Sequence, residues 1–132
     1  MIGIDTNILV RYLTQDDKVQ SEQATKLIDK YAGKSGTIFI NNIVICELIW
    51  VLERGYKYSK SQVLNVLKEI LTTLEFSFDD HKILWTSIID YEKADADFSD
   101  ILIGKLNLLN ACSQTYSFDV KAAKLSTFTM VE

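Results

Sequence analysis

The sequence contains no proline and only one histidine, His81, among its 132 residues. Proline-rich and low-complexity stretches mark linkers between domains, and because this chain has neither, we expect a single domain over residues 1–132. A lone histidine excludes zinc sites that are built on several imidazoles. We expect His81 itself to be a surface or capping residue at a helix start.

Cysteines and long apolar runs are also scarce. Cys46 and Cys112 are far apart and each lies in an apolar context, so they predict neither a disulfide framework nor a metal-ligand pair, and we expect both in the core. No apolar run approaches the roughly 18 residues that a membrane span requires. The first ten residues carry no basic region and no small-residue cleavage site. We therefore expect a cytoplasmic protein without membrane contact.

The net charge of −4 at first argues against a nucleic-acid partner, because phosphate contacts need positive potential. Five of the 18 acidic residues, however, stand where they could gather around divalent cations: Asp5, Glu47, Asp97, Asp100 and Asp119. Without these five, 13 acidic residues face 14 basic ones. A bound metal would add further positive charge. Net charge therefore does not decide whether the partner is a nucleic acid.

Hydrophobic patterning predicts strands that alternate with helices. Short β-branched or aromatic runs predict strands at residues 1–5, 37–40, 74–78, 115–119 and 128–131. Apolar residues at helical spacing predict helices between the strands, with N-caps at Asp16 or Asp17, Asn41 or Asn42, Ser59, and Asp79 or Asp80. Because alternating strands and helices give a parallel sheet covered on both faces, we expect an α/β fold: a three-layer α/β/α sandwich around a central, mostly parallel sheet of four to five strands.

Acidic residues follow the predicted strands. Asp5 ends the first strand and Asp119 the fourth, while Glu47 lies about one turn into the helix after the second strand. Asp97 and Asp100 fall in the first turn of a later helix and are three residues apart, so they share a helix face. Because ligands of such sheets bind at the carboxyl ends of the strands, we expect these acids to form a site.

Each acid also has a structural interpretation. Asp97 is a good helix N-cap, and Asp100 could stabilise the helix dipole. Glu47 is harder to explain, because "IVIC" and "LIWVL" flank it and a buried unpaired carboxylate is costly; Asp5 faces the same problem. Carboxylate oxygens suit Mg²⁺ or Mn²⁺, which would remove that cost. The chain has no G-x-S-x-G nucleophile motif and no P-loop.

Four segments, "IGIDTNILVRYL", "ICELIWVL", "ADFSDILIG" and "TYSFDVKAAKL", resemble in order the signature segments of PIN-domain ribonucleases, and most of all the VapC-type toxins of bacterial toxin–antitoxin pairs. The resemblance implies an endoribonuclease that hydrolyses single-stranded or loop RNA and depends on Mg²⁺ or Mn²⁺. The metal-binding acids that it implies are Asp5, Glu47, Asp100 and Asp119, with Asp97 as a frequent extra acid.

The resemblance also assigns roles to polar residues beside these acids. The acids, water or phosphate would be positioned by Thr6, Asn7 and Ser117. Ser117 keeps the hydroxyl at a position where threonine is more usual. Gly104 stands where the family usually has alanine, a departure that lowers helix propensity but touches no ligand.

By the same resemblance, metal-activated water attacks an RNA phosphodiester. Asp5 and Asp100 would be the principal ligands of one ion, and Glu47 would complete that shell or help to deprotonate the water. Asp119 would hold a second ion or a water outside the inner coordination sphere. Arg11 and Lys105 could contact flanking phosphates.

The resemblance implies protein partners as well. A small VapB-like antitoxin would insert a segment, often with an arginine, into the acidic cleft, and homodimers are usual. Trp50, Val51 and Tyr56, in the helical region from 43 to 73, could supply a dimer interface, although core packing explains them equally well.

Two other α/β protein classes also place an aspartate after the first strand. A haloacid-dehalogenase-like phosphatase needs a second aspartate two residues after Asp5, where this chain has Asn7. A receiver domain needs an acidic pair before the first helix and a lysine after the last strand, and this sequence does not match that pattern. A PIN-domain housekeeping RNA-processing nuclease and a non-catalytic PIN-like scaffold stay open, although such scaffolds generally lose acids that this chain keeps.

Overall fold

The computed structural model describes all 132 residues, and Met1–Asp79 and Asp80–Glu132 are two compact units. The elements of the first unit are β1 (Ile2–Gly3), α1 (Thr6–Thr14), α2 (Lys18–Asp29), β2 (Ile38–Ile40), α3 (Asn42–Arg54), α4 (Lys60–Leu71) and β3 (Phe76–Phe78). The elements of the second are α5 (His81–Lys93), α6 (Phe98–Leu109), β4 (Thr115–Ser117), a 3₁₀ helix (Ala122–Lys124) and β5 (Phe128–Met130). Our expectation of one domain over residues 1–132 stays a prediction.

The first unit is built on a three-stranded parallel sheet with the order β1–β2–β3. Ile38 in β2 lies opposite Ile2 on one side and Phe76 on the other. Because the strands are parallel, their carboxyl ends lie at one edge, where Asp5, Asn41 and Asp79 follow. This edge is where the site residues of the unit begin.

Helices α1 to α4 supply the core of this unit. Leu48 and Leu52 of α3, Leu9 of α1 and Leu67 of α4 are fully buried, as is Ile38 of the sheet. Each such side chain contributes roughly 1.5–3 kcal/mol relative to leaving it in water. The buried faces therefore fix the rotation of α1 and α3 and decide which of their residues face solvent.

The helix starts follow the predicted capping chemistry. In five helices the N-cap side chain accepts the backbone N–H three residues on, the caps being Asp5, Asp17, Asn41, Ser59 and Asp80. Ser59 and Gln62 form the complete capping box that their spacing predicts. Asp79 has a different role, because its Oδ2 accepts the backbone N–H of Asn42 at the start of α3, at 2.8 Å.

In the second unit α5 packs against α6, and β4 pairs in parallel with β5. The ring of Phe98 at the start of α6 meets the ring of Tyr91 edge-on, with centroids 5.8 Å apart, and both are buried. Gly104, midway along α6, is buried against residues 127 and 128, and a methyl group at its Cα would clash with Thr127 and Phe128. The usual alanine does not fit there.

The predicted α/β class with helices and parallel strands is confirmed. The strands are shorter than their apolar runs and form sheets of three and two strands. The prediction that both cysteines lie in the core is wrong for Cys112, which is exposed, whereas Cys46 is partly buried. Cys112 follows the end of α6, where the chain turns at the surface, so its apolar sequence context did not produce burial. No helix of the structure has the length and hydropathy to cross a membrane.

Candidate functional site

Asp5 lies where β1 meets α1. Its Oδ1 accepts the backbone N–H of Ile8 at 3.1 Å, so the carboxylate caps the helix, while Oδ2 accepts no hydrogen bond. The residue is exposed. One oxygen therefore holds the start of α1 in place and the other stays available to a ligand.

A side-chain contact joins the start of α1 to the middle of α3. Thr6 Oγ1 donates a hydrogen bond to Glu47 Oε1 at 2.7 Å, across 41 positions of the chain. Since Thr6 directly follows Asp5, this bond places both predicted acids of the first unit in one neighbourhood. Asn7 is exposed, and its predicted positioning role stays a prediction.

The burial argument for a cation at Glu47 and Asp5 is wrong, because both residues are exposed. Glu47 occupies the solvent face of α3 together with Ile43 and Trp50, whereas Leu48 lies on the buried face. The flanking apolar sequence thus serves the opposite side of the helix. Neither acid needs a metal for its own solvation.

Two acids of the second unit influence the charge of a third. Asp97 is the N-cap residue of α6 but makes no side-chain capping bond, so the structural interpretation of its carboxylate does not hold. Asp100 lies in the first turn of the same helix. Partial burial first, and then the negative charges of Asp97 and Asp119, raise the pKa of Asp100 above its ordinary value. Asp97 and Asp119 therefore both disfavour the charged form of Asp100.

Asp119 is fixed by the segment that follows β4. Its backbone N–H donates to Ser117 Oγ at 2.9 Å, and its Oδ1 accepts the N–H of Ala122 at 3.0 Å. Ser117 thus positions the backbone of an acid, which is a structural task compatible with the role that the resemblance implies. As in Asp5, one carboxylate oxygen accepts a backbone N–H three residues later in the chain.

The donor chemistry fits a magnesium-like ion, because every candidate ligand is a carboxylate or hydroxyl oxygen and the repulsion at Asp100 is what a cation would relieve. No group of three or more histidine, cysteine, aspartate or glutamate side chains is arranged to hold an ion. Mg²⁺ keeps several waters and takes substrate phosphate oxygens, so it needs few protein ligands.

The two basic residues expected at phosphates are engaged within the protein. Arg11 Nη1 lies 3.0 Å from Asp16 Oδ1, and Arg11 Nε donates to Gln20 at 2.8 Å. Lys105 Nζ lies 2.8 Å from Asp90 Oδ2. Contact with RNA would require these ion pairs to open, so the phosphate roles stay predictions.

Arg11 is held by Asp16 and Tyr56, and the sequence pattern did not predict this contact. Tyr56 Oη donates to Asp16 Oδ2 at 2.6 Å, and this bond is the largest cause that lowers the pKa of Asp16 to about 2. Asp16 was assigned only to helix capping. No local signal pairs it with a tyrosine 40 positions away, because that contact depends on how α1, α2 and α3 pack.

A family model described as the PIN domain matches residues 2–125, which is nearly the whole chain. The chain belongs to the PIN domain family. The VapC ribonuclease of Aquifex aeolicus (strain VF5) is 27% identical to this PIN domain over 100 residues, which cover 75% of this chain and 73% of that protein. The predicted likeness to PIN-domain and VapC-type proteins is therefore confirmed.

All the candidate acids of this PIN domain lie within the matched residues. The structure groups them by unit: Asp5, Thr6 and Glu47 in Met1–Asp79, and Asp97, Asp100, Ser117 and Asp119 in Asp80–Glu132. In both units the acids stand at a helix start, on a helix face or just after a strand, as the patterning predicts.

Proposed function

We propose that this PIN domain is an endoribonuclease that hydrolyses RNA phosphodiester bonds with Mg²⁺ or Mn²⁺, and that it is the toxin of a VapBC-type toxin–antitoxin pair. The observation that carries the proposal is that the PIN domain match over residues 2–125 includes all five candidate acids, among which Asp97 and Asp119 help to raise the pKa of Asp100. Family membership and the VapC ribonuclease relative support the same activity.

The proposed metal-binding residues are Asp5, Glu47, Asp100 and Asp119, with Asp97 as an additional acid. A divalent ion supplies Lewis acidity and lowers the pKa of water at the site. Asp5 and Asp100 would be the principal ligands of one ion, and Glu47 would complete that shell or help to deprotonate the water. Thr6 donates a hydrogen bond to Oε1 of Glu47, and Ser117 accepts the backbone N–H of Asp119.

A non-catalytic scaffold is the alternative from another functional class. It would explain the fold but gives no reason for three interacting carboxylates, which cost stability unless a ligand uses them. A housekeeping RNA-processing nuclease would share the chemistry and differ in cellular effect. The first experiment separates enzyme from scaffold, and the second separates toxin from housekeeping enzyme.

The first experiment measures cleavage of RNA by purified protein with Mg²⁺, with Mn²⁺ and with chelator. Asp5→Asn and Asp100→Asn test one acid in each unit. Asp29→Asn and Glu92→Gln are matched controls, because both residues are exposed helix acids outside the candidate site. We expect cleavage only with metal, retained by both controls and lost in both site variants. Cleavage that survives chelation or Asp5→Asn would reject the mechanism.

The second experiment expresses the chain alone in bacteria. We expect growth arrest by the wild type and normal growth with Asp100→Asn. Co-expression of the short protein from the adjacent reading frame should relieve the arrest and form a complex with the chain. Unimpaired growth with active wild-type enzyme would favour the housekeeping nuclease.

Self-association is a further part of the proposal. Trp50 is 58% exposed on α3, Ile43 on the same face is also exposed, and Arg54 covers one face of the indole at 5.4 Å. Tyr56 is tied to Asp16, so it supplies less of an interface than its sequence position indicates. We expect sedimentation to give a dimer mass that Trp50→Glu reduces to that of a monomer. An unchanged mass would reject this face.

A further inference from the structure

Phe118 immediately precedes Asp119 and is 82% exposed, more than any apolar side chain apart from Met1. A single exposed apolar residue is ordinary on a protein surface. Here, however, the exposed side chains recur at every second position, Tyr116, Phe118 and Val120, around a carboxylate of the candidate site. Tyr116 lies in β4 and Phe118 directly follows that strand, so two exposed aromatic side chains stand just before Asp119 in the chain.

The backbone on both sides of Phe118 is held in place. Ser117 accepts the N–H of Val131 on its carbonyl oxygen at 3.0 Å, which continues the pairing with β5 by one residue. Asp119 is bonded through its N–H to Ser117 Oγ and through Oδ1 to Ala122. The ring of Phe118 is therefore carried by a fixed segment, and ordering it on binding costs little entropy.

The negative charges near Phe118 mean that a contact that does not depend on charge would help to bind RNA. Asp97, Asp100 and Asp119 repel a polyanion, and the lysines of the unit are partly engaged, with Lys105 bonded to Asp90 and Lys121 within 3.6 Å of Asp95. Stacking of a base on an aromatic ring does not depend on net charge and accepts any base. It also requires an unpaired base, which single-stranded and loop RNA provide.

We infer that Phe118 is a base-stacking residue, which binds the nucleobase next to the phosphodiester that is cleaved. The inference rests on the proposed ribonuclease function and adds a substrate-binding residue to it: the base beside the cleaved bond must be unstacked so that it can bind Phe118. Phe118 binds substrate and takes no part in proton transfer. It therefore affects binding of substrate more than turnover.

The test measures kcat and KM for a short oligoribonucleotide that contains a bond cleaved by the wild type. Phe118→Ala should lower kcat/KM about 5- to 100-fold, mainly through KM, as expected for the loss of one stacked base. Phe118→Trp should keep kcat/KM close to that of the wild type. Phe118→Leu should lower kcat/KM as Phe118→Ala does, because leucine is apolar but has no ring face. Leu109→Ala, an exposed apolar residue at the opposite end of α6 from Asp100, is the matched control and should behave as the wild type.

A second substrate isolates the stacking contact. Replacing the base beside the cleaved bond by an abasic ribose should lower kcat/KM of the wild type by a similar factor and leave that of Phe118→Ala almost unchanged. An unchanged KM in Phe118→Ala, or full rescue by leucine, would overturn the inference while cleavage by the wild type stands. An unchanged KM with an altered oligomeric mass would also overturn it, in favour of a protein contact. No cleavage by the wild type with metal would instead reject the proposed function itself.

Discussion

Asp100 holds its negative charge at a cost, because partial burial and the charges of Asp97 and Asp119 raise its pKa. At neutral pH the residue is ionised in both the folded and the unfolded chain, so the raised pKa subtracts from stability. That cost diminishes as the pH falls through the folded-state pKa and is absent below the ordinary value of 3.8. We therefore expect Asp100→Asn to raise the melting temperature of metal-free protein at pH 7 by only about 1–3 °C, since the group is partly buried and solvent still screens its charge.

Calorimetry at pH 7 and at pH 3 checks this prediction. The melting temperature of Asp100→Asn should exceed that of the wild type at pH 7. The difference should nearly vanish at pH 3, where the wild-type carboxyl is itself neutral. Glu92→Gln, an exposed acid on α5, is the control and should change neither value. A loss of stability at pH 7 would show that Asp100 is held by favourable contacts instead of repulsion.

Helix α6 carries two site acids at its start and a glycine at its centre. Gly104→Ala would normally stabilise a helix by about 1 kcal/mol. Here the added methyl would lie 2.8 Å from Phe128 Cε1 and 2.9 Å from Thr127 Cβ. Overpacking of this kind costs about 1–3 kcal/mol, so we expect a net loss of about 1 kcal/mol in the free energy of unfolding. Urea denaturation measures it, and an unchanged or increased free energy of unfolding in Gly104→Ala would contradict this account.

The ends of α1, α2 and α3 are joined through Asp16, whose pKa of about 2 lies below its ordinary value of 3.8. A lowered folded-state pKa contributes stability that is present above pH 3.8 and is lost as the pH falls towards 2. The hydrogen bond from Tyr56 is the largest cause. Tyr56→Phe should therefore be less stable than the wild type at pH 6 and show a shallower loss of stability between pH 4 and pH 2. Parallel acid-unfolding curves for the two proteins would contradict this account.

The features that the sequence predicted correctly depend mostly on interactions between residues close together in the chain. N-caps such as Ser59 and Asp80 follow from hydrogen bonds spanning three residues, and strand–helix alternation follows from apolar periodicity. The exposure of Glu47 could not be predicted in this way, because it depends on which face of α3 the core takes. The Thr6–Glu47 bond spans 41 positions, so it follows only from the assembled packing.

Metal binding links the site to the stability of the whole chain. If the carboxylates bind Mg²⁺ or Mn²⁺ in the folded state only, free metal at 100 times its dissociation constant adds about 2.7 kcal/mol to the free energy of unfolding. We expect the melting temperature of the wild type to rise by about 5–10 °C as the metal approaches saturation. Asp100→Asn should begin with a higher melting temperature without metal and gain little on addition, so the two titration curves cross. Asp29→Asn should follow the wild type throughout. Parallel curves for the wild type and Asp100→Asn would mean that the metal acts elsewhere, and the acidic cluster would then need another ligand to account for its cost.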